Sequence, residues 1–444
     1  MKKTLLSLAA ASLIVTSAVA ADKGIDIVTT GQAVLYYETS AGNGTTNEEL
    51  FDQGNSQANV GIQLNLDADL KNNFTFGSQL SYLGTAGLEK NLVSGTRQSV
   101  TGATAMTDIS DEIALTKIFI AKKIANTTVK IGRQELPMSL SPLAFSEGWN
   151  VFKNTFEAAL LVNSDIPDTL VVGAYVGQSN NSTGGSFSTF NSLNAVTSAG
   201  TTGVGGTAYM LTVQNKSIPM TTVTASYYDL AKVDSAATAD LVPNYDIGAT
   251  ALWGDVAIAG KDLPMGLKVG LQAGQISPDS QLGTAVKFSD TTAFGVKVGL
   301  APIEALTLCA AFTSVDGDDN KENVAVKNTG TGVKTPLFTQ MIYNQNAIAL
   351  DADTYMIKAV YNTGDYGKII AQYAGTAAGK SNLQGSEIDY AEFDLIYKVK
   401  AAGVEYFASY INRSFDKGGA PVLLVTNTDA TTEDVVRVWA RYAF

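Results

Sequence analysis

The sequence predicts an all-β fold, an antiparallel up-and-down transmembrane β-barrel of about 18 strands, with 16 as the alternative. Three observations predict it. Segments of about ten residues alternate apolar and polar side chains along the chain, the length and dyad pattern of tilted membrane strands. The connections between them alternate strictly short and long, as periplasmic turns and outer loops do. After residue 20 no run of 18 apolar residues offers a membrane helix.

Residues 1–20 read as a secretory signal peptide. Lys2 and Lys3 form the positive n-region, Leu5 to Val15 a mostly apolar stretch, and Ala18-Val19-Ala20 the small-residue cleavage site. Cleavage there leaves a single domain, residues 21–444, and takes the net charge from −12 to −14 by removing two lysines. An exported chain without a membrane helix points to the outer membrane of a Gram-negative bacterium. The acidic balance speaks against nucleic acid and against a polybasic membrane-surface protein. There is no histidine, which removes the commonest general base and metal ligand, so an enzyme is not expected. The one cysteine, Cys309, cannot form an intramolecular disulfide. Charged residues are 16%, below the usual quarter, which suits a lipid-facing belt around a water-filled interior.

Taken in order, the clearest alternations are Val60–Asp69, Leu267–Gly274, Phe294–Leu300 and Glu392–Val399. In the first, Val60, Ile62, Leu64, Leu66 and Ala68 oppose Gly61, Gln63, Asn65, Asp67 and Asp69. Short connections fall near 70–73, 124–126, 163–168, 215–219, 259–265, 301–303, 362–366 and 400–403. Long ones fall near 39–56, 84–112, 134–154, 179–206, 230–244, 277–289, 316–350, 375–387 and 415–432. Stretches 84–112 and 179–206 are rich in Gly, Ser, Thr and Asn, as solvated outer loops should be. Tyr36, Tyr37, Phe74, Phe76, Tyr227, Tyr228, Tyr361, Tyr406, Tyr410, Tyr442 and Phe444 lie near strand ends, where interfacial girdles are expected.

The last strand places Val436, Val438, Ala440, Tyr442 and Phe444 on one face and Val435, Arg437, Trp439, Arg441 and Ala443 on the other. A final strand ending in Tyr442 and Phe444 resembles the closing strand of bacterial outer-membrane barrels, which implies a signal read by the outer-membrane assembly machinery. A second stretch, 129–150, runs from a strand through Gly132-Arg133-Gln134 into a loop with Leu136, Met138, Leu140, Leu143, Phe145 and Trp149. So much apolar surface suits a loop folded inward against the wall. This motif, the third-loop position, the signal peptide and Phe444 together resemble the Campylobacter-type major outer membrane protein porins. The resemblance implies an 18-stranded homotrimeric porin among lipid and lipopolysaccharide, passing small hydrophilic solutes and ions with a preference for cations.

A pore constriction needs opposing charges across a narrow water path. Glu135 and Glu147 on the loop are candidates for one side. Lys130, Arg437 and Arg441, inward by strand parity, and Arg133 and Arg413 are candidates for the other. By strict alternation Arg133 shares the lipid side with Ile131. Only five arginines exist, four of them on predicted strands or at their ends. A lipid-facing arginine costs about 2–4 kcal/mol at mid-membrane, which favours the lumen; a structural role, pairing with lumen carboxylates, stays open for each. Asp316, Asp318 and Asn320 match the start of a calcium loop, but Lys321 replaces its glycine and the terminal glutamate is missing, so a solvated acidic loop is the stronger reading. No other cofactor is suggested. Two alternatives to a diffusion porin stay open: a substrate-specific outer-membrane channel, and a surface adhesin or structural barrel.

Overall fold

The computed structural model describes residues 25–42, 49–100, 112–180, 186–196, 204–232, 248–279, 287–380, 383, 387–416 and 431–444. The expected signal peptide lies outside them. In chain order the strands are β1 (Asp26–Gly42), β2 (Ser56–Lys71), β3 (Phe74–Gly84), β4 (Glu112–Ile124), β5 (Thr127–Gln134), β6 (Phe156–Asn163), β7 (Thr169–Asn180), β8 (Phe190–Ala195), β9 (Val204–Asn215), β10 (Thr221–Lys232), β11 (Ala249–Ala259), β12 (Lys268–Pro278), β13 (Phe288–Ser289), β14 (Thr291–Ile303), β15 (Leu306–Asp316), β16 (Glu322–Asn323), β17 (Ala352–Asn362), β18 (Lys368–Ala378), β19 (Ile388–Ala401), β20 (Val404–Phe415) and β21 (Thr431–Ala443). Helical geometry among the described residues is limited to three-residue 3-10 turns.

Nineteen strands form one antiparallel sheet, and β21 pairs with β1 to close it into a barrel. β13 and β16 form a separate two-stranded pair. The expectation of about 18 strands is therefore low. The strand it misses is β8, six residues that pair only near the outer ends of β7 and β9, which pair directly with each other elsewhere. β8 lies inside the Gly/Ser/Asn-rich 179–206 stretch, where composition masks so short a strand.

Side-chain alternation gives the wall its two faces. On β11, Leu252 is 59% exposed and the next residue, Trp253, only 3%. The same switch separates exposed Tyr355 and Ile357 from buried Met356 on β17. The short turns carry the backbone that tight hairpins require: Asn72 and Asn73, and Ala402 and Gly403, all have positive φ. Tyr227, Tyr361, Tyr406, Tyr410, Tyr442 and Phe444 are exposed on the outer face, as the girdle predicts. Tyr36 and Tyr228 do not belong to it. Each faces inward and is fully buried, because its hydroxyl has a partner there: Glu38 for Tyr36, and the Leu143 N–H for Tyr228.

The buried apolar core sits inside the barrel, built by two loops against the wall. Loop 135–155 contributes Leu136, Leu143 and Ala144, and loop 317–351 contributes Val324, Val326, Leu337 and Ile348. These pack on inward residues of β6, β7 and β9–β15, among them Phe156, Val176 and Trp253. The inward fold expected for 134–154 is found, and loop 317–351 shares it.

Candidate functional site

Loop 135–155 starts where β5 is pinched. Gly132 has φ +125°, and a Cβ there would lie 2.2 Å from the Ile118 carbonyl oxygen, so only glycine fits. Beyond it the Gln134 side chain turns inward and donates to the Ala158 carbonyl. Glu135 is held between Lys117 and Lys153, the latter at 3.0 Å. Burial opposes its charge, but the two lysines outweigh this and hold its carboxyl below the usual range.

The two loops are clasped through one carboxylate. Glu147 is buried and accepts from Asn328 Nδ2 at 2.8 Å, the Lys334 N–H at 3.0 Å, Trp149 Nε1 at 2.6 Å and the Thr331 hydroxyl. Asn328 also takes the Phe145 N–H and donates to the Phe145 carbonyl. Loop 317–351 then crosses the lumen. Phe338 N–H binds Gln272 on β12, the Ile342 and Tyr343 N–H groups bind Glu392 on β19, and Tyr343 Oη donates to Glu38 on β1 at 2.7 Å.

Tyr343 and Trp149 sit at the centre of a cationic cluster. Arg413, Arg437 and Arg97 lie 4.7, 5.2 and 5.9 Å from the Tyr343 ring centre. Arg97, Lys334 and Arg437 lie 4.8, 4.9 and 5.8 Å from that of Trp149. Carboxylates interleave: Arg437 Nε donates to Glu38, Arg97 stands 3.4 Å from Glu38, and Arg413 Nε donates to Glu433 at 2.7 Å. Lys334 Nζ has no carboxylate partner within 4 Å among the described residues and donates to the Met341 and Ile342 carbonyls. Burial pushes its pKa down to about 8, against the pull of Glu392 and Glu147. Burial and the nearby Glu38 charge push Tyr343 up to about 12. Burial also opposes the Arg97 charge, but Glu38 outweighs it, so Arg97 is held in its charged form.

Of the residues expected at a constriction, Arg413 and Arg437 are brought together here. Arg441 faces the lumen, donates to the Val151 carbonyl of loop 135–155 and lies over Trp439. Lys130 lies over the Phe119 ring, 3.7 Å from its centre. Glu147 is the clasp between loops, buried under four donors, and borders the cavity between the loops and the wall. Arg133 is a correction. It follows Ile131 on the outer face, pairs with Glu157 at 2.8 Å and lies over Phe190 of β8. The positive φ at Gly132 does not reverse its side. Asp316, Asp318 and Asn320 are not gathered as cation ligands: Asp318 pairs with Lys321 at 2.9 Å and takes the Asn320 N–H. Among the described residues no group of three or more His, Cys, Asp or Glu is placed to hold a metal. Sequence reasoning did not single out Glu38, Arg97, Lys334, Tyr343 or Glu392. One signal was present: Arg97 is the fifth arginine, isolated in a Gly/Ser/Thr-rich loop.

Neither a protein-family model nor a curated protein matches the sequence. Solved structures do match the fold. Pseudomonas aeruginosa OccK8 (OprE) superposes with a TM-score of 0.68 at 15% identity, covering 94% of this chain and 98% of that one. Acinetobacter baumannii OccAB3 gives 0.66 at 12% identity over 94% and 99%. P. aeruginosa OpdK, solved with vanillate, gives 0.66 at 13% identity over 94% and 98%. The Pseudomonas OccK and Opd proteins are outer-membrane porins of the substrate-specific channel class, not enzymes. At these identities the likeness establishes the fold. It does not single out the Campylobacter-type porins.

Proposed function

We propose that this chain is a selective outer-membrane channel for small organic anions. The observation that carries this is the charge on the inner wall. Lys358, Lys368 and Lys398 share the lumen face with buried Met356, Ile370 and Ile396. Lys368 and Lys398 are direct cross-strand partners. Like charges placed opposite one another destabilise a sheet, so their presence on a water-facing wall suits attraction of anions. None of the three pairs with a carboxylate within 4 Å among the described residues. In the cluster above them each arginine is countered by Glu38 or Glu433. The preference for cations that the resemblance implied finds no support in this distribution.

The substrate-specific alternative is favoured over a wide diffusion pore because the interior carries two packed loops and a close cluster of charges. OpdK's vanillate makes small aromatic carboxylates the first solutes to try. A homotrimer surrounded by lipid and lipopolysaccharide is part of the same proposal, and cross-linking in native membranes tests it. The functional test is reversal potential in a planar bilayer under a KCl gradient. An anion-signed potential is expected. A cation-signed one would overturn the selectivity, and no conductance from folded barrel would overturn the channel.

A further inference from the structure

Beneath the clasped loops lies a cavity of about 630 Å³, walled by β9, β10, β11 and β14 on one side and by both loops on the other. That is within the usual size range of small-molecule sites. Its apolar wall is supplied by Met138, Pro142, Phe145, Trp149, Leu337 and Phe338. Four charged side chains line it, and they divide into two kinds. Glu147 is saturated by four donors, and the Lys334 ammonium is committed to two carbonyls. Asp255 on β11 meets the neutral Trp253 and Gln272 side chains as hydrogen-bond partners, and Lys297 on β14 lies over the Phe338 ring, so neither charge is answered by an opposite one. Each is half-buried, and among the described residues neither is within 4 Å of an oppositely charged group, including the other.

Strand register fixes their separation. Asp255 pairs with Gln272, which pairs with Gly295, so Asp255 stands two strands from β14 and one inward step from Lys297. Two strand spacings amount to about 10 Å between the backbones. Gly270 and Gly295 keep the intervening wall low, and Gln272 between them is occupied by loop 317–351 through Phe338 N–H and the Pro336 carbonyl. Lys297 Nζ is held 4.1 Å from the centre of the Phe338 ring, which orients its charge over the apolar wall. A carboxylate and an ammonium thus face one cavity, too far apart to pair directly, with aromatic surface beside them.

We propose that this cavity is a subsite for a zwitterionic solute with an apolar body, of the class of a free α-amino acid with an aromatic or branched side chain. Asp255 takes the ammonium, Lys297 takes the carboxylate, and Phe338 and Trp149 take the side chain. A simple anion uses only Lys297 and leaves Asp255 facing it unfavourably. The subsite rests on the channel reading for its purpose, but binding is measured separately from conduction.

The experiment is calorimetric titration of the purified, folded barrel in detergent with three probes: L-phenylalanine, 3-phenylpropionate and phenethylamine. L-Phenylalanine is expected to bind at least tenfold tighter than either of the others. Asp255→Asn should bring L-phenylalanine down to the level of 3-phenylpropionate, and Lys297→Gln should bring it down to that of phenethylamine. Asp255→Glu should retain the preference, and heat-modifiable migration on gels verifies that each variant is folded. Equal binding of the three probes, no binding of L-phenylalanine, or unchanged preference in both neutral variants would overturn the subsite. Loss of binding with conductance intact leaves the channel standing; absent conductance with binding intact removes the channel and not the site.

Discussion

Arg133 and Arg437 are the same side chain on two strands of one barrel, and their surroundings give them opposite tasks. Arg437 is 3% exposed, fixed by Glu38 and the Tyr343 hydroxyl inside the lumen. Arg133 faces outward and is answered by Glu157. Arg437→Gln should therefore move the reversal potential toward cations, while Arg133→Gln leaves it unchanged; equal effects of the two would contradict the assignment of faces. Removing one member of a buried pair costs about 3–5 kcal/mol, so folding of the first variant is checked by gel migration before the recording. A second residue-scale expectation concerns pH. Burial lowers the pKa of Lys334 and Lys327 to about 8, below the ordinary lysine value. Between pH 8 and that ordinary value the unfolded chain holds protons that the folded loop has released, so these two groups make folding more favourable as pH rises through this window. Over the same rise the lumen loses positive charge. Anion preference should fall between pH 7 and pH 9, and Lys334→Met should flatten the fall. The sequence reveals which arginines lie on strands, because parity is a local property. It does not reveal that Arg97, in a polar loop, is brought against Trp149 and Tyr343, since nothing adjacent to it in the chain encodes that meeting.

The element that makes the interior specific is the pair of inward loops, and its least replaceable part is Glu147. One carboxylate gathers Asn328, Thr331 and the Lys334 N–H from the opposite loop and Trp149 from its own. Glu147→Gln turns an amide nitrogen toward those donors and leaves buried groups unsatisfied, at about 1–3 kcal/mol for each group stranded. The barrel wall does not depend on this contact. The expected result is a channel of larger and noisier conductance, with faster proteolysis in 317–351 and unchanged unfolding temperature. Conductance equal to the parent would show that the clasp does not set the pore. Half of this element is legible in the sequence. Leu136, Leu143 and Phe145 mark 134–154 as a loop that turns away from water, whereas 317–351 begins with Asp and Asn and reads as a solvated excursion. Its inward path depends on partners such as Glu38 and Gln272, tens to hundreds of residues away, and no local periodicity records them.

For the whole molecule the decisive constraint is closure. Alternation and the long–short rhythm of connections predict the barrel because each is enforced by the membrane at every strand separately. Closure is enforced once, where β21 meets β1. There Gly31 and Phe444 exchange both backbone hydrogen bonds, at 2.7 and 3.0 Å. The Phe444 ring occupies the space a side chain at Gly31 would need: a Cβ would lie 2.6 Å from its ring carbons and 2.6 Å from the Gln63 carbonyl oxygen. Gly31 is thus a seat for the aromatic side chain, and the seam tolerates no methyl group without moving either Phe444 or β2. Gly173 on β7 is the matched control, because a Cβ there meets nothing within 4 Å. Overpacking a fitted contact costs about 1–3 kcal/mol. Replacing an unconstrained strand glycine by alanine instead removes backbone freedom from the unfolded chain and is neutral to slightly stabilising. Gly31→Ala should lower the temperature at which the folded band converts to the unfolded one on an unboiled gel, and Gly173→Ala should hold or raise it. If both variants convert at the parent temperature, the Gly31–Phe444 contact is not what holds the seam, and closure rests on the β1–β21 ladder alone.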